Sequence, residues 1–305
     1  MKKNLSHLVK AALFTFALFT ITSQESYKIK VSSPNGAPGI ALATLAVQNP
    51  QDYTYVAAEA ISAEFASNKS DFIIAPVNAG AKLYKMKKSS YKLAAVVTWG
   101  NLYFASQRKN FKLKDIKKSE LVLFGENTIN SSVALYALEK NGIKPKSVRY
   151  LASAAATQNL LLTDKNAIVL TAEPVISAAK IKNAGVSSYS LLETFKKATG
   201  YDGYTQAGLF VREESIKNHE PEIKDFLSKA KISCEAISND LPSVVKACVE
   251  LKILPNAKIA ENAIPNCGIK FVKATEGRKQ LEYTAKIDIK QFGDELPQDD
   301  FYYEY

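Results

Sequence analysis

The chain has 305 residues, 47% of them hydrophobic and 23% charged, with a formal net charge of +10 and a sequence pI near 9.2. That length fits two domains or one large one. The composition excludes wholesale disorder, collagen-like repeats and low-complexity architecture, and no internal repeat is visible.

At the N-terminus Lys2, Lys3 and Lys10 precede an unbroken apolar block from Ala11 to Thr22. A basic start followed by a short apolar core has the form of an export signal and is too short for a comfortable membrane span. Residues 1–24 are assigned to it, with cleavage within 22–26 or retention as a signal anchor both open. No Cys follows the apolar core, so a lipoprotein anchor cannot form there. The expected location is outside the cytoplasm, in a periplasm or on the outer face of the cytoplasmic membrane.

The first elements alternate. Strand 27–32 leads to helix 37–48, strand 52–57 to helix 59–67, strand 71–76 to helix 78–86, and strand 92–99 follows. Residues 106–120, "SQRKNFKLKDIKKSE", read as a charged, exposed crossing. A second set comprises strand 120–124, helix 129–141, strand 147–151, helix 154–163, strand 167–171, helix 174–183 and strand 187–190. After strand 207–212, residues 213–265 show mostly helical apolar spacing, then strand 268–272 and helix 275–286. The tail "GDELPQDDFYYEY" is acidic and aromatic and reads as loosely pinned to the surface. This order predicts an α/β protein with largely parallel sheets. The chain leaves one unit and returns to it, giving lobe 1 from 25–101 with 205–305 and lobe 2 from 102–204. Trp99-Gly100-Asn101 and Tyr204-Thr205-Gln206-Ala207 are the crossings, a hinge with a cleft beside it.

In open α/β sheets ligands sit outside the carboxyl ends of strands. Four polar or Gly/Pro corners stand at such ends: Ser33-Pro34-Asn35-Gly36, Pro76-Val77-Asn78-Ala79, Glu126-Asn127-Thr128 and Thr171-Ala172-Glu173-Pro174. In the first, Gly36 permits the turn and a close approach, and Ser33 or Asn35 is expected to cap the following helix, leaving its N–H groups for an acceptor on a ligand. Ordinary turn chemistry also accounts for these residues. Asn78 reads equally as a cleft contact or a loop cap. Glu173 either complements the helix dipole locally or accepts a ligand N–H and bridges the lobes. Trp99, the sole tryptophan, either stacks on a planar ligand or belongs to the core. Tyr204 and Gln206 are read as cleft-facing, with Tyr103 a weaker candidate.

Cys234, Cys248 and Cys267 show no metal-ligand spacing, and His7 and His219 are the only histidines, so neither a metal site nor a Ser/His/Asp set is expected. Three cysteines allow one disulfide, Cys248 with Cys267 for choice, or three reduced buried thiols. The basic excess is lysine-rich, with Arg108, Arg149, Arg212 and Arg278 the only arginines, and carries no recognition motif, so attraction to an anionic envelope is preferred to nucleic-acid binding.

Several stretches, "DFIIAPVNAGAKLYK", "YKLAAVVTWGNLYFAS", "LTAEPVISAAK", "GYTQAGLFVREES" and "GDELPQDDFYY", occur in an order that resembles the solute-binding proteins of bacterial ABC importers, of the nitrate/sulfonate/taurine and thiamine-precursor type. The resemblance runs from about residue 27 to the end. It implies a two-lobed type II periplasmic-binding fold, each lobe a mostly parallel sheet flanked by helices. It also implies a monomer without cofactor that closes over a small solute and docks on a permease driven by a separate ATPase. Pocket-lining features of that family match Ser33 to Gly36, Pro76 to Asn78, Trp99 to Asn101, and Asn127, Thr128 and Ser131. The absent lipobox cysteine departs from the pattern. No Arg lies in the matched loops, as a sulfonate or phosphate clamp would want, so a planar nitrogen-bearing vitamin precursor is the preferred solute. The rival readings are an enzyme on the same fold related to pyrimidine-precursor synthesis, with Cys267 as its only nucleophile candidate, and an extracellular sensor domain.

Overall fold

The computed structural model describes residues 27–305, so the expected export signal lies outside the described residues. The first strand, β1 (Val31–Pro34), is buried throughout. Where one helix was expected over 37–48 the chain forms two short turns, α1 (Ala37–Ile40) and α2 (Ala43–Ala46). Gly39 explains the close fit: a Cβ there would stand 3.1 Å from the Pro34 carbonyl oxygen and 3.2 Å from the Tyr55 ring.

β2 (Tyr53–Val56), α3 (Ile61–Ser67), β3 (Phe72–Pro76), α4 (Val77–Lys85) and β4 (Tyr91–Thr98) follow in order. The chain then enters a strand that the sequence reading overlooked, β5 (Leu102–Ser106), before β6 (Glu120–Phe124), α5 (Ile129–Lys140), β7 (Ser147–Leu151), α6 (Ala154–Thr163), β8 (Ile168–Ala172), α7 (Val175–Lys182) and β9 (Ser187–Ser190). A second overlooked element, α8 (Leu191–Thr199), starts on the Ser190 side chain, which accepts from the Glu193 N–H, and stops at left-handed Gly200. β10 (Ala207–Arg212), α9 (Glu213–Asn239), α10 (Leu241–Glu250), α11 (Ala257–Ala263), β11 (Ile269–Lys273) and α12 (Ala274–Ile287) complete the order. α9 is kinked at His219, two residues before Pro221, because a proline inside a helix removes a backbone donor and clashes with the preceding turn.

Two sheets result. The first has strand order β11-β4-β10-β3-β1-β2 and the second β7-β6-β8-β5-β9. β1 pairs in parallel with β2 and β3, and β6 with β7 and β8, as helical crossovers require. β10, β11 and β5 run against their neighbours. Each sheet is therefore mixed: β10 and β11 are reversed in the first and β5 in the second, whereas β4, which leads into the hinge, keeps the direction of β1 to β3. Residues 106–120, expected as an exposed crossing, form the β5–β6 link within the second sheet, its lysines exposed and its Phe111 and Ile116 buried.

The tail is not loose. Phe301 is 1% exposed and inserts into the main core, and the Tyr303 N–H donates to the Leu93 carbonyl at 2.8 Å. The cysteines take the unpaired alternative: all three are free and buried, so the Cys248–Cys267 bridge is absent.

The hinge is closely packed. The Trp99 N–H donates to the Gly268 carbonyl at 2.8 Å. Gly268 has φ +62°, and a Cβ there would lie 2.8 Å from the Gly100 carbonyl oxygen. Gly268→Ala is expected to lower stability by about 2 kcal/mol; a urea melt of the two proteins measures this.

Candidate functional site

Strand register shows which ends of the sheets meet. At the end of the first sheet, Pro76 and Thr98 both pair with Ala207, the first residue of β10 after the hinge. In the second, Leu102, just past the hinge, pairs with Ala172, the last residue of β8, and Phe124 closes β6 opposite Leu151. The carboxyl ends of β1, β3, β6, β7 and β8 thus face one gap, where such sheets bind ligands.

Gln206 sits at the centre of the hinge. Its carboxamide oxygen accepts from the N–H groups of Gly100 and Asn101 at 2.8 and 2.9 Å, and its nitrogen donates to the Asn130 side chain at 3.2 Å. It ties the two crossings to each other and to the second lobe, so its polar atoms are engaged in the hinge. Trp99 is turned inward: it is 6% exposed, its indole N–H donates to the Lys270 carbonyl at 2.9 Å, and its ring faces Gly277. Tyr204 is 1% exposed and stands edge-on to Phe195. Of the two readings for Trp99 the core one holds, and the cleft-facing reading of Tyr204 gives way to burial.

The remaining candidates divide between the sides of the gap. On the first lobe Asn35 and Pro76 are exposed. Gly36, at φ +90°, is the residue before α1 and caps it without a side chain; Ser33 is 4% exposed and turns its hydroxyl to the Pro34 carbonyl. Neither Ser33 nor Asn35 caps that helix, because the extended strand continues through Pro34. In the Pro76 corner the Val77 N–H is taken by the Gln206 carbonyl at 2.8 Å. Asn78 follows on the first turn of α4, and its side-chain oxygen is buried without a hydrogen-bond partner. A buried acceptor left unpaired is costly; the Tyr204 and Thr205 hydroxyls of the return crossing are likewise buried without a partner.

On the second lobe Asn127 is exposed and left-handed at φ 56°. Thr128 caps α5, accepting from the Ser131 N–H at 3.4 Å, while the Ser131 hydroxyl turns back to the Gly125 carbonyl at 2.6 Å. These two hydroxyls hold the loop. A corner the sequence reading passed over lies at the end of β7: Ser153 caps α6 by accepting from the Ala156 N–H, beside exposed Ala152 and Ala155. The strand-end rule applied there as well, and an N-cap serine before a helical run was the available signal.

The lobes touch on both flanks of the gap. On one, the Ser132 hydroxyl donates to Asp288 at 2.6 Å, Tyr136 and Tyr283 share a 2.8 Å hydrogen bond, and Gln291 donates to the Asn127 carbonyl at 2.8 Å. On the other, Tyr103 donates to the Asn266 carbonyl at 3.2 Å, and the Ser177 hydroxyl lies 3.3 Å from the Asn262 carbonyl. Among the described residues no hydrogen bond joins loops 33–36 or 76–79 to loops 125–128 or 152–153.

Glu173 belongs to this second flank. It is 4% exposed, follows β8, and forms a cis bond to Pro174. Its N–H donates to the Asn101 carbonyl and its carboxylate accepts from the Ser177 hydroxyl at 2.8 Å. Burial raises its carboxyl to about 7, against the opposing pull of the Ser177 hydrogen bonds and Lys180. Its partner Ser177, one turn on, was not picked out by sequence. Cys267 is fully buried, its thiol donates to the Ala263 carbonyl, and burial holds the thiol far above its ordinary range. His219 stacks on Tyr27 at 3.5 Å. These two therefore make no nucleophile–base pair.

A cavity of about 690 Å³ lies away from the gap, on the first lobe between α4 and the tail, lined by Tyr84, Lys85, Phe292 and Phe301 among others.

No protein-family model matches the chain, and no curated protein matches it. Solved structures do. An ABC transporter protein from Parabacteroides distasonis superposes with a TM-score of 0.77 at 21% identity, over 90% of this chain and 98% of that one. The periplasmic aliphatic sulphonate binding protein of Escherichia coli gives 0.69 at 13% identity, over 92% and 93%. A Candida albicans protein described as having the generic periplasmic binding protein fold gives 0.55 at 11%, over 90% and 93%. Two lobes, a double crossing and strand ends converging on one gap, together with these superpositions, give the chain the periplasmic-binding-protein fold.

Proposed function

We propose that this protein is the exported solute-binding component of an ABC importer, acting as a monomer that closes its two lobes over one small solute for delivery to a permease. The fold supports this reading, as does the likeness to an ABC transporter protein of Parabacteroides distasonis and to the periplasmic aliphatic sulphonate binding protein of Escherichia coli. So does the gap itself, which both lobes line and across which, among the described residues, no hydrogen bond joins loops 33–36 or 76–79 to loops 125–128 or 152–153. Binding shifts the lobes only if the solute prefers the closed form, and contacts from both sides supply that preference. A differential of about 3 kcal/mol changes the closed-to-open ratio by roughly 150-fold.

The solute we infer is planar and nitrogen-bearing rather than a sulfonate. The observation that carries this is the buried, unpaired side-chain oxygen of Asn78, which calls for a donor. The loops 33–36, 76–79, 125–128 and 152–153 contain no Lys or Arg to clamp an anionic head group. Their small side chains, Ala79, Ala152, Gly36 and Gly125, leave room for a ring.

A melting screen tests it, with Trp99 fluorescence as a second readout because the one indole lies on the hinge. Heteroaromatic bases and pyrimidine precursors are expected to raise the melting temperature and shift the emission. Asn78→Ala should weaken binding about tenfold or more, the cost of one buried hydrogen bond. Stabilisation by alkanesulfonates alone overturns the solute assignment.

A further inference from the structure

The net charge is not spread over the molecule. Residues 102–204 contain 15 Lys and Arg against eight Asp and Glu, whereas 25–101 with 205–305 contain 22 of each. The second lobe thus carries +7 and the first none.

Within the second lobe the excess gathers at one end. Ser106, Ile168 and Ser187 lie in register across β5, β8 and β9, and Glu120 lies opposite Ser147. This row is the edge of the sheet farthest from the gap. The loops leaving it carry Lys112, Lys114, Lys117, Lys118, Lys144 and Lys146, all exposed. Arg108 stitches these loops into one platform: it donates to the Asn166 carbonyl at 2.7 Å and to the Ser119 hydroxyl at 2.6 Å, while the Lys146 N–H donates to the Ser119 carbonyl at 3.0 Å. Among the described residues none of those six lysines has a carboxylate within ion-pair distance, although the first lobe pairs many of its cations.

We propose that this end of the second lobe docks on the surface of an anionic lipid bilayer. Charge complementarity argues for the partner. The free cations are ammonium groups on flexible stems, suited to a diffuse layer of phosphates. The two arginines present, Arg108 and Arg149, are committed to loop carbonyls and to Glu120, so no guanidinium fork is left to read a nucleic acid. That a bilayer is within reach rests on the proposed export; the surface itself does not. Each lysine near such a membrane attracts additively and within a Debye length.

The test is co-sedimentation of the full chain with phosphatidylcholine vesicles, with and without phosphatidylglycerol, at low and high salt. The N-terminal segment carries Lys2, Lys3 and Lys10 and also favours anionic vesicles, so the second-lobe lysines are isolated by comparing the wild type with the two lysine variants, all of which share that segment. The expected result is preferential binding to the phosphatidylglycerol vesicles that high salt abolishes. It should fall about tenfold or more in K112Q/K114Q/K117Q/K118Q and stay unchanged in K69Q/K217Q/K246Q/K258Q, exposed lysines of the first lobe. Equal retention by both vesicle types, or a wild-type level in the first variant, overturns the proposal. Retention on duplex DNA without vesicle binding assigns the surface to nucleic acid instead. The salt dependence of the wild-type chain stands even where a variant misfolds, and solute-induced melting shifts measure the cleft separately.

Discussion

Glu173→Gln is expected to make the protein more stable than wild type at pH 8 by up to about 3 kcal/mol, with that advantage lost as the pH falls to about 4.5. The buried carboxyl titrates at about 7 against an ordinary 4.5, chiefly because burial penalises the anion. Between those values the folded state holds the proton more tightly than the unfolded chain, so stability falls as pH rises. Above pH 7 both states are ionised and the full cost of the buried charge is present; below 4.5 both are protonated and the cost is absent. Gln keeps an acceptor for the Ser177 hydroxyl and carries no charge, but its amide nitrogen cannot accept from the Ser177 N–H that donates to the second carboxylate oxygen at 3.4 Å; that loss is independent of pH, so the pH-dependent part of the difference between the two urea midpoints isolates the ionisation. Curves that stay parallel from pH 4.5 to 8 contradict the assignment.

Asp71→Ala is expected to destabilise the first lobe by about 3–5 kcal/mol, the range for breaking a buried, hydrogen-bonded charge. Asp71 is 2% exposed at the foot of β3. Its carboxylate accepts from the Tyr27 hydroxyl at 2.7 Å, the Lys30 N–H at 2.8 Å and the Ser215 hydroxyl at 2.6 Å, and lies 3.6 Å from the Arg212 guanidinium. Removing it orphans an inward-facing backbone donor and leaves Arg212 without its buried counter-charge. Ser215→Ala, which removes one donor and leaves the carboxylate three neighbours, should cost only about 1 kcal/mol. Denaturant midpoints that are equal for the two variants show that the network does not act through its anion.

The pattern of strands and helices was legible because most elements obey local rules: buried apolar runs for β3 and β4, Ser or Thr caps for α5 and α6. β5 escaped because it is buried on both faces and shows no alternation, and because a lysine-rich run follows it directly. α8 carried both a serine cap and a glycine stop, signals that were present and unused. Reversal of β5, β10 and β11 is invisible locally, since a strand's direction is set by where the chain re-enters a sheet. At the gap, the corners could be named, but their hydroxyls and amides could not be apportioned. Whether Gln206 faces a solute or the N–H groups of Gly100 and Asn101 depends on residues over a hundred positions away. Trp99 posed the same problem, resolved by its burial against Gly277.

The second sheet draws all its strands from one unbroken stretch, whereas the first needs β1 to β4, then β10 and β11, and finally the backbone of Tyr303 against Leu93. During synthesis the ribosome releases everything required for the second sheet while the first still lacks two strands and its closing residues. The embedded half can therefore mature first and act as a template on which the two outer segments meet, since domains form as units in the order their parts emerge. A chain stalled near residue 240 would present a finished inner body flanked by an incomplete outer one.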